Sequence, residues 1–217
     1  VLYAPVENLT QGTYYETLQE AIADAVADDT IYVRNGVHVE DGQIVIDKNL
    51  TILGEDKLAA ILKPNQGTGS GYGTTSGWIL VPAGVTFNLS NVTLDCSGQA
   101  VQMAIQSRGD SIIEDCVIQN VVKGTYDGRG IVFLSGTNNA VRRCDISNTQ
   151  RIGIHVRGAV EPAAPVAVIE DCTYTGKGDG DWLDYGVEFG GGGAGSVIRC
   201  TITDCMGVAL SDGSTSA

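Results

Sequence analysis

Apolar and polar residues alternate with a period of two through most of this chain. Gly130-Ile131-Val132-Phe133, Gly153-Ile154-His155-Val156, Gly186-Val187-Glu188-Phe189 and Gly207-Val208-Ala209-Leu210 share one order: glycine, apolar, variable, apolar. Ala104-Ile105-Gln106-Ser107 and Gly77-Trp78-Ile79-Leu80 are looser copies. Such alternation predicts short strands with one buried face. A second motif interleaves with the first. Cys116, Cys144, Cys172 and Cys200 are each 28 residues apart (144 − 116, 172 − 144, 200 − 172). Their settings also repeat, as in Ile113-Glu114-Asp115-Cys116 and Ile169-Glu170-Asp171-Cys172. A fixed period of this size predicts a solenoid, in which each coil buries its apolar face on its neighbours.

Stacked coils put equivalent residues in columns about 4.8 Å apart. One inward column is Ile105, Ile131, Ile154, Val187 and Val208; another is Ser107, Phe133, Val156, Phe189 and Leu210. Cys96, Cys116, Cys144, Cys172 and Cys200 predict a third, a ladder of thiols packed as small apolar groups, although adjacent coils also bring cysteines within disulfide range. Cys205 lies off that ladder; it could close a small loop with Cys200 or face a partner chain. Four residues after the cysteines, Asn120 and Asn148 predict an amide ladder at a tight bend. Near the start, Thr17 followed by Leu18, Ile22 and Ala25 predicts a helix over about 17–26.

Over 77–213 these repeats resemble the right-handed parallel β-helix, or pectin-lyase-like, superfamily. The resemblance implies an all-β, single-stranded right-handed parallel β-helix solenoid with a short N-terminal capping α-helix. It implies one domain over 1–217, with a cap over 1–30 and coils over 31–213. It implies no single chemistry, because the fold hosts lyases, hydrolases, esterases, epimerases, adhesins and surface-layer proteins. The signatures around the two catalytic aspartates of pectin methylesterases are missing, as are the paired aspartates of polygalacturonases.

Charge narrows the partners. A net charge of −13 and a pI near 4.3 argue against nucleic acid. They also disfavour an anionic polysaccharide unless Ca²⁺ screens its approach. No stretch is long and apolar enough to enter a membrane. Six cysteines and strands rich in Gly, Thr and Asn suit an extracellular or cell-surface location.

Two sets of columns carry charge. Asp95, Asp115, Arg143, Asp171 and Arg199 each precede a cysteine, and from Asp115 onward their signs alternate. This predicts an ion-pair ladder that fixes register. On the glycine-headed strands, His155 aligns with Glu188 and Arg151 with Asp184, while Arg157 projects from the same strand as His155. Arg151, His155, Arg157, Asp184 and Glu188 are therefore the candidate catalytic residues, expected on one exterior patch with Trp182 and Tyr185 as stacking surfaces. By the resemblance, lyases and epimerases of this fold abstract a proton beside a uronate carboxylate with a Lys, Arg, His or Tyr base. Asp179, Asp181 and Asp184 could hold Ca²⁺, though their spacing matches no EF-hand; no other cofactor is expected. His38 is expected on a solvent-facing side of its strand.

Two functions follow. The leading expectation is an extracellular structural β-helix that self-associates into a surface layer, sheath, filament or fibre. It rests on a last coil with no visible cap, which implies a truncated chain or an end covered by another subunit, and on few loops to wall a groove. The alternative is a polysaccharide-active enzyme or glycan-binding module of lyase or epimerase type, acting on acidic glycans.

Overall fold

A computed structural model describes residues 4–158, 160–178 and 183–211, followed by the strand Thr215–Ser216. Three parallel sheets run along it. Sheet 1 has ten strands; its parallel part begins with Asp29–Val33 and Leu50–Gly54, and the antiparallel strands Val6–Asn8 and Thr13–Tyr15 extend its first edge. Sheet 2 has seven strands: Gly36–Glu40, Ala60–Pro64, Thr93–Asp95, Val117–Gln119, Asp145–Ser147, Thr173–Thr175 and Thr201–Thr203. Sheet 3 also has seven: Ile44–Val45, Gly77–Val81, Met103–Ser107, Arg129–Phe133, Ile152–Arg157, Tyr185–Gly190 and Val208–Leu210. The chain visits the sheets in rotation, so each coil supplies one strand to each. This is the right-handed parallel β-helix, with β-branched and aromatic side chains filling the interior. One continuous apolar cluster extends from Val6 to Phe189.

The expected columns form in register. Ile105 pairs with Ile131, Ile131 with Ile154, Ile154 with Val187 and Val187 with Val208. Ser107, Phe133, Val156, Phe189 and Leu210 align beside them. The head glycines have a steric cause. A Cβ at Gly130 would lie 2.5 Å from the carbonyl oxygen of Gly153, and one at Gly153 would lie 2.6 Å from that of Gly186. The coils approach each other too closely there for any side chain.

Two corner ladders turn the chain. Asp115, Arg143, Asp171 and Arg199 have φ of +52°, +51°, +54° and +50°, and form the bend between sheets 1 and 2. Asn120 and Asn148 have φ of +61° and +49° and form the bend after sheet 2. Asn148 Nδ2 donates to Asn120 Oδ1 at 2.6 Å, and Asn120 Nδ2 donates to Asp95 Oδ1 at 2.7 Å.

Three expectations are corrected. The helix covers Leu18–Asp24, shorter than 17–26, because Thr17 is its cap, paired reciprocally with Glu20, and Ala25 is already extended. Cys96 does not stand on the thiol column. Asp95 pairs with Gln119, so Cys96 falls beside Asn120, and the column is Cys116, Cys144, Cys172 and Cys200. The same shift puts Asp95 on the amide ladder rather than the ion-pair ladder. The step from 96 to 116 is 20 residues rather than 28; in register the coil runs from Val92 to Cys116, and it is shorter than the next coil in the connections both before and after its sheet 3 strand. His38 is buried, with Nε2 2.7 Å from the Arg34 carbonyl oxygen.

Candidate functional site

The outer face of sheet 3 holds the chemistry. Residues one step from the inward columns point out, so Gln106, Val132, His155, Glu188 and Ala209 form a row across adjacent strands. Such a face normally meets water, yet much of this one is buried. Met103, Val132 and Leu134 form a small apolar cluster separate from the main core, and Tyr72 and Val160 pack on it. Tyr72 belongs to the connection 65–76, which leaves sheet 2 and folds back over sheet 3. The expectation of few loops to wall a groove is thereby corrected: this segment covers the face.

Four of the chain's eight arginines converge under that cover. Arg108 Nε lies 2.5 Å from Glu161 Oε1, and Arg108 Nη2 donates to the Tyr72 carbonyl. Arg129 Nη1 lies 3.0 Å from Asp127 Oδ1, close enough for an ion pair but not aligned as a hydrogen bond. Arg151 Nη1 reaches the same oxygen at 4.0 Å. Arg157 has no carboxylate partner among the described residues. Its Cζ sits 4.8 Å from the centroid of the Tyr72 ring, and the Cζ of Arg129 sits 5.4 Å from it. Both distances suit cation–π contact. His155 meets the same ring edge-on, with 6.1 Å between centroids.

His155 is only 2% exposed, and neither ring nitrogen has a hydrogen-bond partner. Nε2 is 3.7 Å from Glu188 Oε1, too far for a hydrogen bond. Burial pushes the imidazole well below its usual range, and Arg129, Arg157 and Arg151 push it the same way. The ring is therefore neutral at neutral pH, and the same causes oppose its protonation while the face is covered. Among the described residues, eleven buried side-chain nitrogen and oxygen atoms lack a protein partner, and nine of them belong to this face: Gln102, Gln106, the four arginines and His155. Buried polar groups are nearly always satisfied by protein, water or ligand.

The structure brings Arg151, His155, Arg157 and Glu188 together as expected from alignment. It does not bring Asp184. Tyr185 pairs with Ile152, so Asp184 does stand beside Arg151 in register. Its side chain turns inward, however, and is 0% exposed. There it accepts hydrogen bonds from the Tyr174 hydroxyl and, at 2.7 Å, from the Lys177 amide. Burial, with Asp184 beside it, pushes the Tyr174 phenol up. Asp184 is a corner-fixing residue. Asp179, Asp181 and Trp182 lie outside the described residues. Among the described residues no cluster of three or more His, Cys, Asp or Glu is placed to hold a metal. All six cysteines are free thiols, and Cys205 Sγ accepts from the Gly207 amide at 3.3 Å rather than bonding to Cys200. Alignment on glycine missed Tyr72, Arg108 and Arg129. Arg129 stands directly before Gly130 and was open to that reasoning; Tyr72 lies in an aperiodic segment and was not.

Residues 129–217 match the family model described as right handed beta helix region. No curated protein matches by sequence. Among solved structures, a pectin methylesterase in complex with a hexasaccharide is 15% identical, with a TM-score of 0.54 over 92% of this chain and 78% of that one. Pectin methylesterase PemA from Erwinia chrysanthemi is 14% identical, with a TM-score of 0.54 over 96% and 87%. Pectin methylesterase from carrot is 17% identical, with a TM-score of 0.52 over 100% and 84%. With identities of only 14% to 17%, this likeness carries the fold and no activity. The chain has the right-handed parallel β-helix fold, and these matches assign it to no family.

Proposed function

We propose that the protein is a polysaccharide-active or glycan-binding β-helix that engages an acidic glycan on the outer face of sheet 3. One observation carries the reading: four guanidinium groups converge on that face with most of the unpartnered buried polar atoms among the described residues. Guanidinium forks match carboxylate geometry, and their hydrogen bonds to it are among the strong ones. A uronate carboxylate held by Arg157 and Arg129 would have its charge neutralised, which acidifies the adjacent C–H. Neutral His155 and the nearby Glu188 have the residue types for general base and acid. In an elimination, the proton beside the carboxylate is removed and its electron pair forms a carbon–carbon double bond. The glycosidic oxygen on the next carbon leaves and takes up a proton. The low overall pI does not oppose this, because charge is local here: four arginines face Asp127, Glu161 and Glu188, an excess of one positive charge.

The likeness to proteins crystallised with hexasaccharides supports the same reading. The self-assembly role draws no such support. An extracellular location fits a glycan partner, and no helix among the described residues is long and apolar enough to cross a membrane. A calcium requirement would rest on Asp179 and Asp181, and the arginine face does not need it.

The test is calorimetric titration with oligouronates and with neutral oligosaccharides of equal length, together with an assay for unsaturated uronate product. Saturable binding of the uronates alone is expected, weakened about tenfold or more in Arg157→Ala by loss of a charge-assisted bond. Equal binding of neutral and acidic chains, or an Arg157→Ala protein that binds as the parent does, would overturn the reading.

A further inference from the structure

We propose that segment 67–76 is a strap that occupies the glycan site, and that Tyr72 must leave the arginine face before an acidic glycan can enter. The inference deepens the acidic-glycan reading and rests on it. Access is the first argument. Arg129 is 3% exposed and His155 is 2% exposed, so no carboxylate can reach them while the Tyr72 ring lies over them.

The second argument is what the strap offers the face beneath it. Gln102 Nε2 donates to the Gly71 carbonyl at 3.0 Å. Gln106 Nε2 and Arg108 Nη2 both donate to the Tyr72 carbonyl, at 3.3 Å and 2.5 Å. Lys123 Nζ donates to the carbonyls of Thr68 and Gly69. Every one of these bonds runs from a side chain below to a strap oxygen. The strap thus presents carbonyl oxygens to a bed of donors, as the oxygens of a glycan chain would, while its Tyr72 ring takes the place over the guanidinium groups that a carboxylate would occupy. It is an internal occupant whose bonds a ligand could exchange one for one.

The third argument is what holds it. Tyr72 belongs to the small outer cluster, not to the main core, and Gly71 and Gly73 meet no neighbouring atom within 4 Å of an added Cβ. Releasing the tip would leave the coils beneath intact. Two cation–π contacts and a few exchangeable hydrogen bonds bias the strap closed. Ligand affinity is then reduced by the fraction of molecules that are closed.

The experiment compares trimeric to hexameric oligouronate binding by the parent protein, Tyr72→Ala and Tyr72→Phe. Tyr72→Ala is expected to bind about tenfold tighter. Tyr72→Phe, which keeps the ring, is expected to match the parent. Equal or weaker binding by Tyr72→Ala, with the parent still binding, overturns the strap and leaves the glycan reading standing. Absence of binding by all three proteins overturns both. Should Tyr72→Ala fail to fold, hydrogen exchange on the parent decides: saturating oligouronate is expected to speed exchange across 67–76, and slowed or unchanged exchange overturns the strap.

Discussion

Two groups of arginines in this molecule are treated in opposite ways. At the corner between sheets 1 and 2, Arg143 binds Asp115 through Nε at 2.9 Å and Nη2 at 2.8 Å. Arg199 binds Asp171 in the same fashion at 2.7 Å and 2.9 Å, and Arg142 reaches Glu114 at 2.8 Å. Arg143 and Arg199 are exposed and bidentate, Arg142 is half-buried and lies between Glu114 and Glu170, and none of the three has a buried atom without a partner. The arginines hold Asp115 and Asp171 below the usual carboxylate range through those bonds. On sheet 3, Arg129 and Arg157 are more buried and less fully paired: Arg129 keeps one contact with Asp127 at 3.0 Å, not aligned as a hydrogen bond, and Arg157 lies against the Tyr72 ring with no carboxylate among the described residues. A fold gains nothing from burying cations without partners, because desolvation then goes uncompensated. The corner builds register. On the reading proposed above, the face is arranged for an acidic partner.

The sharpest way to break this comparison is to remove the two arginine pairs in turn. Arg129→Ala with Arg157→Ala should weaken oligouronate binding by roughly a hundredfold or more, since each charge-assisted bond contributes about 1.5–3 kcal/mol. Arg143→Ala with Arg199→Ala should leave that affinity unchanged, as calorimetry on both proteins would show. Next comes Asp184, which alignment placed on the face and the structure places in the corner. Tyr174→Phe should destabilise the protein by about 1–3 kcal/mol in urea unfolding by taking a donor from a buried carboxylate. It should not touch glycan affinity, and a loss of affinity would return Asp184 to the site.

The third effect is one of pH. His155 is held below its unfolded value of about 6.5, so on acidification the unfolded chain takes up its proton first. Stability is therefore full above that value and falls as pH drops below it toward the folded value. Urea midpoints between about pH 7.5 and pH 5 should decline less steeply in His155→Gln than in the parent; parallel curves would show that the ring titrates freely. The smallest effect belongs to the corner ladder. Arg143→Ala should cost at most about 1 kcal/mol, less at high salt. Asp115 has a depressed folded value, so that contribution is present above its unfolded pKa, near 4, and disappears as pH falls through the folded one. A larger cost that salt does not reduce would mean that the corner is more than an exposed ladder.

What the sequence made legible follows the same division. Strand registers, inward columns and the pairing of Arg143 with Asp115 are periodic facts, and periodicity is visible in a string of residues. His155 beside Glu188 was found by aligning glycines that the backbone contact at Gly153 requires. Errors arose where periodicity fails. Cys96 shares its residue type with the thiol ladder but not its register: the position equivalent to Cys116 one coil earlier is Val92, four residues before Cys96. Asp184 shares a register with Arg151, yet its carboxylate is buried against the Tyr174 hydroxyl and the Lys177 amide, which no alignment of strands reveals. Tyr72 lies in a glycine-rich connection whose path over sheet 3 is set by side-chain donors distant in sequence, such as Gln106 and Arg108.

The most direct test of the central claim observes both arginine groups in one sample. Nitrogen-15 NMR of the arginine Nε–H resonances, followed through an oligouronate titration at physiological salt, reports each guanidinium separately. The account predicts saturable shifts for Arg129 and Arg157 and none for Arg142, Arg143 or Arg199. Equal shifts in the two groups, or shifts confined to the corner ladder, would contradict it.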